Sequence, residues 1–288
     1  MMIETFTPQQ LADDIRYVHD YYTNLFLTLT DADWQRPTEA NGWTLHETVA
    51  HLDAAAEAYQ QTIEAIRSQT AVDFAKFSMY RREDLPTVNE TQNALRTQQP
   101  IPKLCASFLN TLQTAAASAH QSHSDELLHS YLFPVYNRPI TLGELYAGQA
   151  THPGLVHAAQ VANGANIPYL WRQYDPALLK RQITYMLHFM SLSYWPQRGN
   201  MQTTINFIVP GQASWHLRLS LKGCEVHEGK GERPSLTVWF RTLDVLCRTL
   251  TLQISPIRAT LTGQTFAWGR KLLLVFQLEH LFNPTGTW

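Results

Sequence analysis

The chain has 288 residues, longer than one usual domain, and 44% hydrophobic side chains, enough to fill two separate cores. Lys and Arg number 22 against 24 Asp and Glu, a formal net charge of -2; this supplies no basic field for nucleic acid and no like-charged tail. Met1-Met2-Ile3-Glu4-Thr5 lacks a secretory pattern and no apolar run of about 18 residues occurs, while Cys105, Cys224 and Cys247 lie too far apart for a cysteine zinc knuckle and suit a reducing compartment. The expectation is a cytoplasmic protein with no nucleic-acid partner and no integral membrane association, a homodimer being left open.

The first half carries helical periodicity. Leu11, Ile15, Val18, Tyr22, Leu25 and Leu29 form one apolar stripe after a start at Thr7-Pro8. The second helix opens on Trp43-Thr44-Leu45, with Thr44 and Glu47 spaced as a capping box. Val49, Leu52, Ala56, Tyr59, Ile63 and Ile66 make its core stripe, and Asp53, Glu57, Gln60 and Glu64 its wet face. Residues 71 to about 99 show no sustained period and read as a long connection, either a lid or a plain surface loop. A third helix begins near Pro100-Ile101-Pro102 and turns Leu104, Phe108 and Leu112 inward; a fourth runs from about Thr141 to Gly164. These four helices predict an all-α four-helix bundle.

The second half changes period. After a helix from Leu178 to Trp195, residues 203–209 and 215–221 alternate and end at Pro210-Gly211 and Lys222-Gly223; Glu225-Val226-His227-Glu228 and Leu236 to Phe240 continue what reads as an antiparallel meander. A helix from Leu243 to Leu252 and a closing helix from Leu272 to Phe282 complete an α+β domain. Ile205, Phe207, Leu217, Leu219, Val238 and Phe240 share the inward face, which helices could either fill or leave open as an apolar-ligand cavity. The boundary falls within 165–178, giving domains 1–170 and 171–288.

Taking about 100° per residue, His51 lies with Ala55, Ala58 and Thr62 on the flank of the apolar face and points toward the bundle interior. An inward histidine is more often a hydrogen-bonded core residue than a ligand, so His51 alone carries no site. His46 is about 140° away round the same helix and makes a poor co-ligand. His152 shares a face with Leu145 and Gly148, but His157 follows by five residues, where a regular helix would turn it away. Pro153-Gly154 between them either bulges the helix and restores convergence or marks its loss. Three neutral imidazoles would suit zinc, nickel or another borderline divalent metal with positions left open. His120, His123 and His129 read as solvated. Ser/His/Asp order and phosphate-binding glycine loops are absent.

Trp43-Thr44-Leu45 through Ala50-His51-Leu52, with Thr141-Leu142-Gly143-Glu144-Leu145-Tyr146 leading to His152 and His157-Ala158-Ala159-Gln160, resembles the DinB-like superfamily over about residues 7 to 165. That superfamily includes metal-dependent thiol transferases and mycothiol-dependent maleylpyruvate isomerases. The resemblance implies a divalent metal on His51, His152 and His157, and a low-molecular-weight thiol cofactor. It further implies thiol transfer to, or isomerisation of, a small electrophile. In the isomerase branch a glutamate often takes the first fourth-helix ligand position; here the nearest, Glu144, precedes His152 by two turns. The second half, through Asn206-Phe207, Trp215-His216-Leu217, Gly229-Lys230-Gly231, Pro234-Ser235-Leu236-Thr237 and Trp268-Gly269, resembles a sterol carrier protein type 2 domain. That likeness implies an apolar tunnel for lipid or acyl chains, and with it a rival expectation of a noncatalytic binding protein whose bundle is scaffold or dimer interface.

Overall fold

The computed structural model describes residues 6–38, 42–71, 84–132, 136, 138–195 and 202–282. Contacts within the chain separate two compact units, Met1–Leu170 and Trp171–Trp288.

In the first unit α1 spans Pro8–Phe26, started by the Thr7 hydroxyl, which accepts from the Gln10 N–H, with proline at the tolerant first position. Leu11, Ile15, Val18, Tyr22 and Leu25 are its buried stripe, whereas Leu29 lies beyond the helix end. A short α2 (Asp31–Trp34) precedes α3 (Leu45–Ser68), whose Thr44–Glu47 capping box closes in both directions. After α5 (Ile101–Gln121), the two-residue strands β1 (Ser130–Tyr131) and β2 (Ile140–Thr141) pair antiparallel. The fourth bundle position then follows as α6 (Leu142–Thr151), a π-turn His152–Val156 and α7 (Ala158–Ala165). Helix α1 packs on α5 and α6, and α3 on α5, α6 and α7.

Two expectations for this unit need correction. Within the stretch read as a long connection, Leu85–Arg96 forms helix α4 against α3 and residues 97–99 turn away from its end; residues 72–83 of the same expectation lie outside the described residues. Hydrophobic periodicity was silent because the face α4 buries is mostly polar: Val88, Gln92, Asn93 and Arg96. The wet face assigned to α3 holds only in part: Glu64 is exposed and Glu57 half-buried, but Gln60 is buried, and so is Asp53, which faces α4. Arg96 donates through Nε to the Asp53 carboxylate at 2.9 Å and also pairs with Glu57, so burial is accompanied by charge compensation.

The second unit begins with α8 (Pro176–Leu192), where the Asp175 carboxylate accepts from the Ala177 and Leu178 N–H groups. Five strands follow in the order β5-β4-β3-β6-β7: β3 Thr203–Val209, β4 Ala213–Ser220, β5 Gly223–Glu228, β6 Leu236–Phe240 and β7 Thr265–Trp268. The sheet is mixed, not the antiparallel meander expected, because β6 lies parallel to β3 with Ile205 opposite Leu236. The cause is the seven-residue link from β5, which crosses the sheet face instead of turning back at its edge. Asn206 clamps that crossing, its Oδ1 accepting from the Gly231 N–H at 2.9 Å. A Cβ on Gly231 would stand 2.7 Å from Thr204 Cγ2 and 2.9 Å from the His216 ring, so only glycine lets the link lie this close.

On the opposite face Ile205, Phe207, Leu217, Leu219, Val238 and Phe240 are buried, with at most 6% exposure. Phe207 meets Phe240 edge-on, and the Trp215 indole N–H donates to the Thr184 hydroxyl at 2.8 Å, tying β4 to α8. Beyond β6 come α9 (Leu243–Leu250) and α10 (Pro256–Leu261), then β7. The closing helix expected over 272–282 is broken into a 3-10 turn, Leu272–Phe276, and α11 (Leu278–Phe282). Helix α10 and strand β7 had no sequence-based expectation, being too short for either period to emerge. No described helix is long and apolar enough to cross a membrane.

Two outcomes check this packing. Gly231→Ala is expected to lower the stability of the second unit by roughly 1–3 kcal/mol in urea unfolding, through the forced contacts with Thr204 and His216. Asp244, in the first turn of α9, supplies the second. Its burial raises the carboxyl pKa, but hydrogen bonds from Arg172 and Trp171 and the Arg172 charge outweigh that, and the net shift is downward. A depressed carboxylate stabilises above its ordinary range near 3.9, and loses that contribution as pH falls through the folded value. Asp244→Asn should therefore cost about 1–2 kcal/mol at neutral pH and flatten the acid limb of the stability profile, read by thermal melts across that range.

Candidate metal centre

Helix α3 and the interrupted fourth bundle position bring three histidines together. His51 lies on the second turn after the Thr44 cap, and its ring packs against Trp43, with centroids 5.1 Å apart. His152 and His157 flank the π-turn. Proline at 153 has no N–H to return to the preceding turn, and the His157 N–H reaches back five residues to the His152 carbonyl at 3.0 Å. That extra residue rotates position i+5 back to within about 50° of position i. The rings of His152 and His157 consequently stand 4.6 Å apart, and those of His51 and its two partners 5.2 and 4.8 Å. From α1, the Tyr22 hydroxyl donates to the Pro153 carbonyl at 3.0 Å and holds the bulge in place.

One ring nitrogen from each histidine lies within 4.8 Å of the other two. A point central to atoms so spaced is about 2.8 Å or less from each, so ring movements of about 0.7 Å would reach the ~2.1 Å of a metal–imidazole bond. Protonation states suit such bonding. Burial pushes the His51 pKa down to about 4, helped by the Arg96 charge. Burial likewise carries His152 and His157 well below the ordinary histidine value, each assisted by its imidazole neighbours. All three rings are therefore neutral at pH 7 and present lone pairs. The Nδ1 atoms of His51 and His157 are buried with no hydrogen-bond partner, a costly state for a polar atom.

Other side chains define the surroundings. Tyr59 stands edge-on to His152 with centroids 6.1 Å apart, and burial, with Tyr136 alongside, raises its pKa well above 10, leaving a neutral phenol. Sequence reading had Tyr59 only as a core residue of α3 and had no signal at all for Arg96, which lay in the supposed connection. Glu144 does not join the cluster. It is buried, caps α6 by accepting from the Thr141 N–H, and pairs with Arg138 at 2.6 Å. His46 is likewise apart, edge-on to Trp34, and His120, His123 and His129 are exposed.

The model of the mycothiol maleylpyruvate isomerase N-terminal domain matches residues 15–162, just over half of the chain. The chain belongs to this family. Its bundle accordingly fits the DinB-like superfamily. No curated protein matches the sequence. Among solved structures, the chain is similar to the crystal structure of the mycothiol-dependent maleylpyruvate isomerase at 13% identity, with a TM-score of 0.60 over 89% of this chain and 94% of that one. A histidine-to-alanine mutant of a mycothiol-dependent maleylpyruvate isomerase matches at 12% identity and a TM-score of 0.58, over 87% and 91% of the two chains. At such identities the likeness is one of fold: a helical unit followed by a sheet-bearing unit.

The buried ion pair next to the cluster yields a direct check. Arg96→Met removes the cation facing Asp53 and is expected to cost about 3–5 kcal/mol in urea unfolding. Adding Asp53→Asn, which removes the stranded charge, should restore part of that loss.

Proposed function

We propose that the protein is a metal-dependent enzyme of thiol chemistry, in which His51, His152 and His157 hold one divalent ion, zinc or nickel. The observation that carries this reading is the meeting of three neutral imidazoles from two helices, those of His51 and His157 buried and that of His152 partly so. Three protein nitrogens leave at least one position open, the arrangement of catalytic sites and not of closed structural ones. When bound there, the ion would act as a Lewis acid that shifts a coordinated thiol toward thiolate near neutral pH. His51 and the pair across the π-turn orient that position, and Trp43 and Tyr59 restrict water beside it. The family description points to mycothiol as the thiol cofactor. The reaction class that follows is transfer of the thiol to, or thiol-assisted isomerisation of, a small electrophile. Domains 1–170 and 171–288 would serve as the metal-binding bundle and a sterol-carrier-like unit, in a cytoplasmic protein.

The rival reading makes the second unit a carrier of apolar ligands, with Ile205, Phe207, Leu217, Leu219, Val238 and Phe240 lining an acyl-chain tunnel. The near-complete burial of all six and the direct Phe207–Phe240 contact weigh for a face filled by its own side chains. Native mass spectrometry of untagged protein separates the two: metal without lipid is expected, and lipid without metal would establish the carrier.

Elemental analysis of untagged protein should find one equivalent of zinc or nickel, retained or restored on reconstitution. His51→Ala and His157→Ala should each weaken binding by more than the ~100-fold upper range for changes to outlying partners of a metal ligand. Pro153→Ala, which gives the helix back its N–H and favours regular winding, should weaken it as well. Failure of the reconstituted wild-type protein to hold stoichiometric metal would end the proposal.

A further inference from the structure

Charge divides unevenly between the two units. Residues 1–170 hold 18 acidic side chains against nine basic, whereas residues 171–288 hold 13 basic against six acidic. A chain of net charge -2 thus carries a second unit of formal charge +7. The bias is sharpest from Val245 to Leu278, where Arg248, Arg258, Arg270 and Lys271 meet no acidic residue at all. Asp244, just before that stretch, is already paired with Arg172. Arg258 and Arg270 are exposed, and so is Arg241, whose backbone N–H bonds the Gln264 carbonyl at the entry to β7.

The same stretch exposes large apolar side chains in three neighbouring groups. On β7, Phe266 and Trp268 are two residues apart and share the sheet face away from the core, where Phe266 packs on Trp239 with ring centroids 5.4 Å apart. On α10, Ile257 and Leu261 are about one turn apart; on the 3-10 turn, Leu273 and Phe276 eclipse at three-residue spacing. Both α10 and the 3-10 turn lie against β7. Each of the six is 51–82% exposed. Together they offer water on the order of 700 Å² of side-chain surface, a quantity that marks an interaction site and not scattered surface apolar residues.

We propose that this part of the second unit docks on an anionic lipid surface. Aromatic and aliphatic side chains flanked by unopposed arginines have the composition of an interfacial anchor: the cations are drawn to acidic headgroups while the apolar tips enter the acyl boundary. Leu261 and Leu273, 82% and 75% exposed, stand clear of their backbones and are placed for that entry. Against a nucleic acid the arginines would find phosphates, but these leucines would find nothing apolar. Binding hot spots for a protein partner are poor in leucine, whereas half of this group is Leu or Ile. The association is peripheral, since no described helix is long and apolar enough to cross a bilayer. It uses no residue of the metal site and none of the six on the inward sheet face, so it stands apart from both readings above.

Co-sedimentation of the full chain with lipid vesicles tests the assignment. Vesicles of phosphatidylcholine mixed with phosphatidylglycerol should carry the protein down, phosphatidylcholine alone should not, and added salt should release it as the charges are screened. Arg258→Gln combined with Arg270→Gln should weaken binding roughly 30-fold, at about five-fold for each cation. Leu261→Ser combined with Leu273→Ser should weaken it by on the order of tenfold or more, because the inserted surface is lost. All four positions are exposed, so both double variants should keep the wild-type far-UV circular dichroism spectrum and melting temperature. Leu27→Ser, at an 82% exposed leucine beyond the end of α1 in the acidic unit, should bind as the wild type does. The proposal would be overturned by a wild-type chain that ignores the anionic vesicles, by equal binding to neutral ones, or by binding indifferent to both double variants. Sedimentation equilibrium showing an oligomer that Leu261→Ser and Leu273→Ser dissolve, with no vesicle binding, would assign the surface to a second copy instead and overturn it as well.

Discussion

A missing backbone donor controls the geometry of the histidine cluster. Pro153 has no N–H, and the helix answers with a π-turn in which the His157 N–H reaches the His152 carbonyl. On a regular helix His152 and His157 would point about 140° apart; on this one their rings meet at 4.6 Å. Helix α1 takes part from a distance, since the Tyr22 hydroxyl spends its hydrogen bond on the Pro153 carbonyl. A buried tyrosine and a proline thus aim two imidazoles that neither of them touches as a ligand would.

Around the cluster, charge and burial act together. Burial keeps the three imidazoles neutral, the state in which nitrogen can bind a cation. One turn along α3, Asp53 and Glu57 meet Arg96 of α4, so two carboxylates surround one guanidinium and the local sum is negative. At His51 itself it is the Arg96 charge that acts, and it helps burial to keep the ring neutral. The same ion pair explains why α4 binds through a polar face: its partner on α3 is polar too.

The second unit solves a different problem. Its sheet buries one face under helices and lets its own chain cross the other, which requires the bare backbone of Gly231 over Thr204 and His216. That crossing makes β6 parallel to β3, places β6 and β7 on the far side of β3, and so leaves an uncharged strand at one edge and a charged one at the other.

Much of this was legible in the residues. Periodicity and the Thr7, Thr44 and Thr141 starts located α1, α3, α5 and the fourth bundle position, because capping and apolar stripes are local properties of a helix. Alternation located β3 to β6 for the same reason. The three histidines were named from sequence, but whether they could meet was not decided there, since a proline four residues before His157 is compatible with either a bulge or a break. Only the tertiary structure settles that, through the Tyr22 hydrogen bond and the packing that tolerates the π-turn. It alone also reveals α4, whose buried face is polar and therefore invisible to hydrophobic pattern, and the parallel β6, whose register depends on a link crossing the sheet. The sequence by itself determined which elements form and which side chains can carry chemistry, because these depend on neighbours within a turn or two; which of those side chains share a site depended on contacts between residues more than a hundred positions apart.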